Sequence, residues 1–206
     1  MMAVSEDKYF KALESNIIKT VDKRKLLPEM VFKSVFKHFL FIRFYDLLMP
    51  ERFFKHTKQY MMKIGEKDFW VVVLDPDPRG YYKKYFNIYG AFEFLGTDTD
   101  AEYLSAFHHY PKDSDADALA YRGDILLVSS FSNKWAVYGS REDEIAICAF
   151  SDIGQMELFK ASYGFDLLDD VEVAAEYAYG KSGNKTKIEK LCTNYSASVD
   201  TVSPVN

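Results

Sequence analysis

Asp113-Ser114-Asp115-Ala116-Asp117 sets three carboxylates at alternate positions, the spacing with which the first half of a calcium loop gathers its oxygen ligands. The rest of the segment departs from that loop. Ala118 stands where the sharp turn needs glycine, and Asp124 stands where a longer glutamate would supply two oxygens. The segment therefore reads as a solvated acidic loop, and no metal or other cofactor is expected. His108 and His109 are adjacent, and neighbours on a helix point about 100° apart, so they would not converge on one ion. No Cys or His lies at zinc-ligand spacing. His38 and His56 stand alone on segments that read as helices. Neither a G-x-S-x-G elbow nor a G-x-x-x-x-G-K phosphate loop occurs. Cys148 sits among Ile147, Ala149 and Phe150, which would desolvate a thiolate and suppress it as a nucleophile.

Two groups remain. The first is the charged turn Ser140-Arg141-Glu142-Asp143-Glu144, which follows Trp135 and Tyr138. It reads as the tip of a rigid hairpin, and loops on rigid scaffolds are where binding residues concentrate. Trp135, Tyr138, Arg141, Glu142 and Asp143 are thus the candidate partner-binding residues, with Asp75 and Asp77 of the loop Asp75-Pro76-Asp77-Pro78-Arg79-Gly80 next. The second is an aromatic, carboxylate-containing pocket near Tyr89, Glu93 and His108, which would bind a small molecule or serve an enzyme. Glu93, Asp75 and Asp77 could also act as paired carboxylates if the fold brought them together.

The elements that position these groups follow from pattern. Ile125 to Val128, Trp135 to Gly139 and Ile145 to Phe150 are apolar runs separated by polar turns, the spacing of a three-strand meander. Phe69 to Leu74 is β-branched and aromatic, hence a strand. Tyr85 to Leu95 alternates and reads as a half-buried strand. Ser5 can cap a helix that places Tyr9, Phe10, Leu13 and Ile17 on one face. A second helix is predicted from Pro28 to Leu48, apolar nearly all round in its last half, and a third from Pro50 to a stop at Gly65. Thr99 to Glu102 fits a capping box that opens a short helix up to Pro111. One or two helices follow Asp152, the clearer spanning Asp169 to Tyr179 with Gly180 at its end. The expected fold is α+β: an antiparallel sheet of about five strands with N-terminal and C-terminal helices packed on it. It forms a single domain over residues 1–180, with a helical part at 5–65, a sheet part at 69–152 and helices at 153–180. Residues 181–206 read as a polar, partly disordered tail.

Composition narrows the partners. The 206 residues carry a formal charge of −5, which disfavours nucleic acid, and the basic clusters are short. The apolar stretch Val31 to Met49 is interrupted by Lys33, Lys37, His38, Arg43 and Asp46, so no membrane span is expected. Cys148 and Cys192 are too few for a disulfide framework and point to reduced thiols in a cytoplasm. Aromatic residues make up 17% of the chain, a fraction that serves either a ring-built core or a tyrosine-rich contact surface.

The run from Asn133 to Ile147, with its Trp-Ala-x-Tyr-Gly-x-Arg hairpin, resembles a pattern of small bacterial proteins, some of them grouped with immunity proteins of polymorphic or contact-dependent toxin systems. The likeness covers Gly123 to Asp152. It implies a non-catalytic factor that binds a protein partner, such as a cognate toxin, and covers its active site. Acidic loops would suit a basic target. The alternatives are the small-molecule or enzymatic pocket and a structural subunit that self-associates through aromatic faces; the oligomeric state is left open.

Overall fold

The computed structural model describes residues 1–109, 114–163 and 167–196. One antiparallel sheet forms the middle layer. Its strands are β1 (Met2–Ala3), β2 (His38–Arg43), β3 (Asp68–Asp75), β4 (Ala91–Leu95), β5 (Ile125–Ser129), β6 (Trp135–Ser140) and β7 (Ile145–Phe150). They lie in the order β1-β4-β3-β5-β6-β7-β2. The predicted meander is the β5-β6-β7 centre of this sheet, in unbroken register from Ile125 opposite Ser140 to Trp135 opposite Phe150.

Helices cover both faces. On one lie α1 (Asp7–Thr20), α7 (Val171–Tyr179) and α8 (Lys185–Tyr195), which bury Phe10, Leu13, Ala175 and Leu191 against Trp70, Leu127, Tyr138 and Ile147. On the other lie α2 (Lys55–Ile64), α4 (Asp100–Phe107), α5 (Leu119–Arg122) and α6 (Ile153–Tyr163), packed on Val71, Leu126, Val137 and Cys148. A short turn, α3 (Lys84–Phe86), precedes β4. Because both faces are covered, every residue of β5, β6 and β7 is buried, and these strands read as continuous apolar runs rather than alternating ones. The fold is the predicted α+β, with seven strands instead of about five.

The two additional strands are the edges. β1 is a two-residue pairing of Met2 and Ala3 with Glu93 and Phe92. β2 replaces the helix predicted over Pro28 to Leu48. A run that is apolar at every position satisfies the helical and the strand period equally. Here Phe41 enters one core and Leu40 and Ile42 the other, so the run is a strand buried on both sides. Phe44–Leu48 then closes the segment as a 3-10 turn. Pro28 starts no helix and follows a cis peptide bond.

Other boundaries shift for local reasons. The helix predicted from Pro50 forms, as a wide turn at Pro50–Phe54 leading into α2, and Gly65 stops it with φ +73°. Thr99 and Glu102 form the predicted capping box at the head of α4, Thr99 N–H donating to Glu102 Oε2 at 2.7 Å. That helix ends at Phe107, and Pro111 lies outside the described residues. Ser5 caps nothing; Glu6 holds the capping position of α1 without a side-chain bond. Of the predicted Tyr85–Leu95 strand only Ala91–Leu95 is extended, because Lys84–Phe86 is helical and Asn87 turns the chain with φ +62°.

The stretch expected to be a polar tail is helical from Lys185 to Tyr195. Asn184 caps it, Leu191 and Tyr195 enter the core, and the Tyr195 hydroxyl donates to the Glu29 carbonyl at 2.7 Å.

Candidate functional site

The ends of β3, β5, β6 and β7 meet on one rim of the sheet. Main-chain bonds string this rim together. Asp124 N–H donates to the Asp75 carbonyl (2.9 Å), Arg141 N–H to the Asp124 carbonyl (2.9 Å), Glu144 N–H to the Arg141 carbonyl (3.2 Å) and Phe44 N–H to the Glu144 carbonyl (2.8 Å). Neighbouring strands lie about 4.8 Å apart, so Asp75 and Asp124 stand side by side on the same rim as the β6–β7 turn. Asp75, Asp77, Glu142 and Glu144 are exposed, and the Asp124 side chain keeps 47% of its surface.

The β6–β7 turn divides into an anchored half and a presented half. Asp143 is buried. It accepts from the Ser140 hydroxyl (2.5 Å) and pairs with Lys187 of α8 at 3.7 Å. Arg141 reaches inward. Its Nε donates to the Gly123 carbonyl (3.1 Å) and its Nη2 to the Ala120 carbonyl (2.9 Å), while its guanidinium stands 4.9 Å from the Phe44 ring centre. Glu142 and Glu144 point outward, and Glu144 is held at φ +59°, a left-handed conformation that bulky residues rarely adopt.

The residues predicted for partner binding therefore separate. Glu142, Asp75 and Asp77 are on the surface. Trp135, Tyr138 and Asp143 are not, with 0%, 2% and 6% of their surface exposed, so none of them presents a ring face or carboxylate on the open surface. The cause is the second helical layer. A hairpin with helices on one face would leave alternate residues free, but here Trp135 enters the α2 side and Tyr138 the α1 side. Trp135 donates its indole N–H to Glu66 at 2.9 Å and meets Tyr60 edge-on. Arg141 is a clamp between the turn and α5.

Asp77 has a local task as well, since it accepts from the N–H groups of Arg79 (3.0 Å) and Gly80 (2.6 Å). The turn it caps, Pro78–Lys83, is latched to α1. Arg79 makes a two-point ion pair with Glu14, at 2.8 and 2.6 Å, and lies over the Phe10 and Tyr89 rings. The hydrogen bond from Arg79 holds the Glu14 carboxyl below its ordinary range, and the Tyr89 hydroxyl does the same for Asp7.

The alternative pocket is not assembled. Tyr89 is buried on the α1 side, stacked on Phe10 at 3.8 Å and donating to Asp7. Glu93 follows the same face, directly across from Trp70. His108 is exposed at the end of α4, on the opposite side of the sheet, edge-on to Tyr121. Glu93 sits in the middle of β4 opposite Trp70, five residues along β3 from Asp75, so these carboxylates do not pair. Asp113 lies outside the described residues. Asp117 is occupied by Ser114 (2.6 Å) and by the Tyr81 hydroxyl. Burial pushes the Cys148 thiol far above its usual range, so it stays protonated.

One grouping escaped sequence reasoning. Tyr138 and Asp75 line a common cleft with Lys23, Leu26, Leu74 and Ile125. Its walls come from four separate elements, brought together by the register of β3, β5 and β6 and by the loop after α1 that lies over them. No helix among the described residues is long and apolar enough to cross a membrane. No protein-family model, curated protein or solved structure matches the chain.

Proposed function

We propose that the chain is a non-catalytic, cytoplasmic bacterial factor that binds a basic protein partner along the acidic rim, acting as an immunity protein that covers its toxin. The observation that carries this reading is the β6–β7 turn. Its inner side chains are fixed by buried bonds, and its outer side chains are two carboxylates with no cationic partner among the described residues. Backbone strain at Glu144 fits the same reading, because strained residues cluster where presentation matters more than stability. With Asp75, Asp77 and Asp124 the rim offers five carboxylates against the clamped Arg141 and Lys23, a field that favours a basic surface.

The test is equilibrium binding of the purified chain to the product of a neighbouring toxin gene, with a Glu142→Lys/Glu144→Lys variant alongside. Two reversed rim charges should weaken binding at least tenfold, each like-charge contact costing about 1 kcal/mol or more. Equal affinity of the variant and the parent chain would defeat the proposal.

A further inference from the structure

We infer that the rim contains a side-chain pocket for an arginine, formed by the Asp75 carboxylate and the Tyr138 hydroxyl, so that the basic partner named above inserts one guanidinium there; this rests on the partner-binding reading and gives it an anchor. The cleft has a volume of about 170 Å³, room for one long side chain and little more. It opens between the loop after α1, which supplies Lys23 and Leu26, and the rim ends of β3, β5 and β6, which supply Leu74, Asp75, Ile125 and Tyr138.

Tyr138 points to a ligand. The residue is 98% buried and its ring meets Phe32 edge-on, while its hydroxyl makes no hydrogen bond to the described residues and is left open to the cleft. A hydroxyl whose opening is the cleft is met there by water or by a group that enters and displaces it. The field there selects a cation. Burial first, and then the charges of Asp143 and Asp75, push the Tyr138 hydroxyl above its usual pKa, which places it at the negative end of the cleft. Asp75 is exposed and carries no cationic partner among the described residues.

The walls select the stem. Leu26, Leu74 and Ile125 are aliphatic, the surface along which a basic side chain lays its methylenes while its head finds an acceptor. Two separate acceptors, a carboxylate and a phenol oxygen, match the several fixed donors of a guanidinium better than the point charge of an ammonium. Lys23 stands at the lip on the exposed loop after α1, while Glu14 is paired with Arg79.

The probe is N-acetyl-arginine amide, titrated into the full chain with its leucine and isoleucine methyl groups labelled, with the neutral N-acetyl-citrulline amide as the comparison. Saturable shifts confined to Leu26, Leu74 and Ile125 are expected with arginine, and at least tenfold weaker binding with citrulline. Asp75→Asn should weaken arginine binding about tenfold, as loss of a charged hydrogen bond does. Tyr138→Phe should weaken it severalfold and leave the remaining methyl spectrum in place, because the deleted hydroxyl pairs with nothing among the described residues.

Binding of arginine and citrulline alike, or variants that bind as the parent does, would overturn the pocket. The two proposals fail separately. If charge reversal at Glu142 and Glu144 abolishes partner binding while arginine shifts no methyl group, the rim stands and the pocket falls. If arginine saturates the cleft and charge reversal leaves partner binding intact, the pocket stands and the rim reading falls.

Discussion

Replacing Arg141 by alanine removes two hydrogen bonds from a charged donor, to the carbonyls of Gly123 at 3.1 Å and Ala120 at 2.9 Å. The contact to the Leu119 carbonyl, at 3.5 Å, is at the limit and adds little. The guanidinium also leaves the Phe44 ring, 4.9 Å away. A hydrogen bond to a charged group is worth about 1.5–3 kcal/mol and an exposed cation–π contact about 0.5–1 kcal/mol. The side chain is 20% exposed and both carbonyls can be rehydrated at the rim, so the lower part of each range applies. The Asp124 pair at 3.7 Å is a surface ion pair and contributes about 0–1 kcal/mol. The expected loss is about 3–4 kcal/mol. In urea, with a slope of about 2–3 kcal/mol per molar for a chain this long, the unfolding midpoint should fall by roughly 1 M. Arg141→Lys should recover less than half of that, because one ammonium cannot span both carbonyls. An alanine variant that unfolds at the parent midpoint yet no longer binds its partner would refute the clamp and restore Arg141 as a contact residue.

Three further outcomes are expected. Gly139→Ala should cost about 1–3 kcal/mol in the same unfolding assay, since a Cβ there would lie 2.6 Å from Leu47 and 3.0 Å from Phe44 inside a packed core; an unchanged midpoint would mean the core yields. Native alkylation should label Cys192 alone, with Cys148 reacting only after unfolding, as mass spectrometry of the two cysteine peptides would show. Acid should weaken the latch between α1 and the Pro78–Lys83 turn. Glu14 and Asp7 are held below their ordinary values of 4.5 and 3.8, so the unfolded chain takes up protons first and their stabilisation, present above those values, is lost as pH falls through the folded-state pKa. The midpoint should drop between about pH 5 and about pH 3, and the drop should be smaller in Arg79→Ala.

Much of the frame was legible in the residues, for reasons that also explain the errors. Thr99 and Glu102 fix a helix start through two reciprocal bonds that involve no distant partner, so the capping box could be read directly. Phe39 to Ile42 could not, because a run apolar throughout carries no period, and only the helices on both sides of the sheet decide that it is a strand. The same missing layer explains Trp135 and Tyr138, which look like recognition aromatics until both faces of the hairpin are covered. The α8 helix did leave a signal. Ile188, Leu191, Cys192 and Tyr195 follow helical spacing, but the lysines and threonines around them hid an amphipathic face inside a polar composition. At the site, Asp75, Asp77 and Glu142 were accessible to sequence reasoning because turn residues tend to stay outside. The meeting of Asp75 with Tyr138 was not, since it depends on the register of β3, β5 and β6.

The rim as an electrostatic landing surface is tested most directly by the association rate with the purified partner, measured across ionic strength for the parent chain and for Asp75→Lys/Glu142→Lys/Glu144→Lys. A steep fall of the parent rate with salt, and a slow rate that no longer falls with salt in the variant, is the predicted result. Matching rates with the same salt slope in both proteins would contradict it.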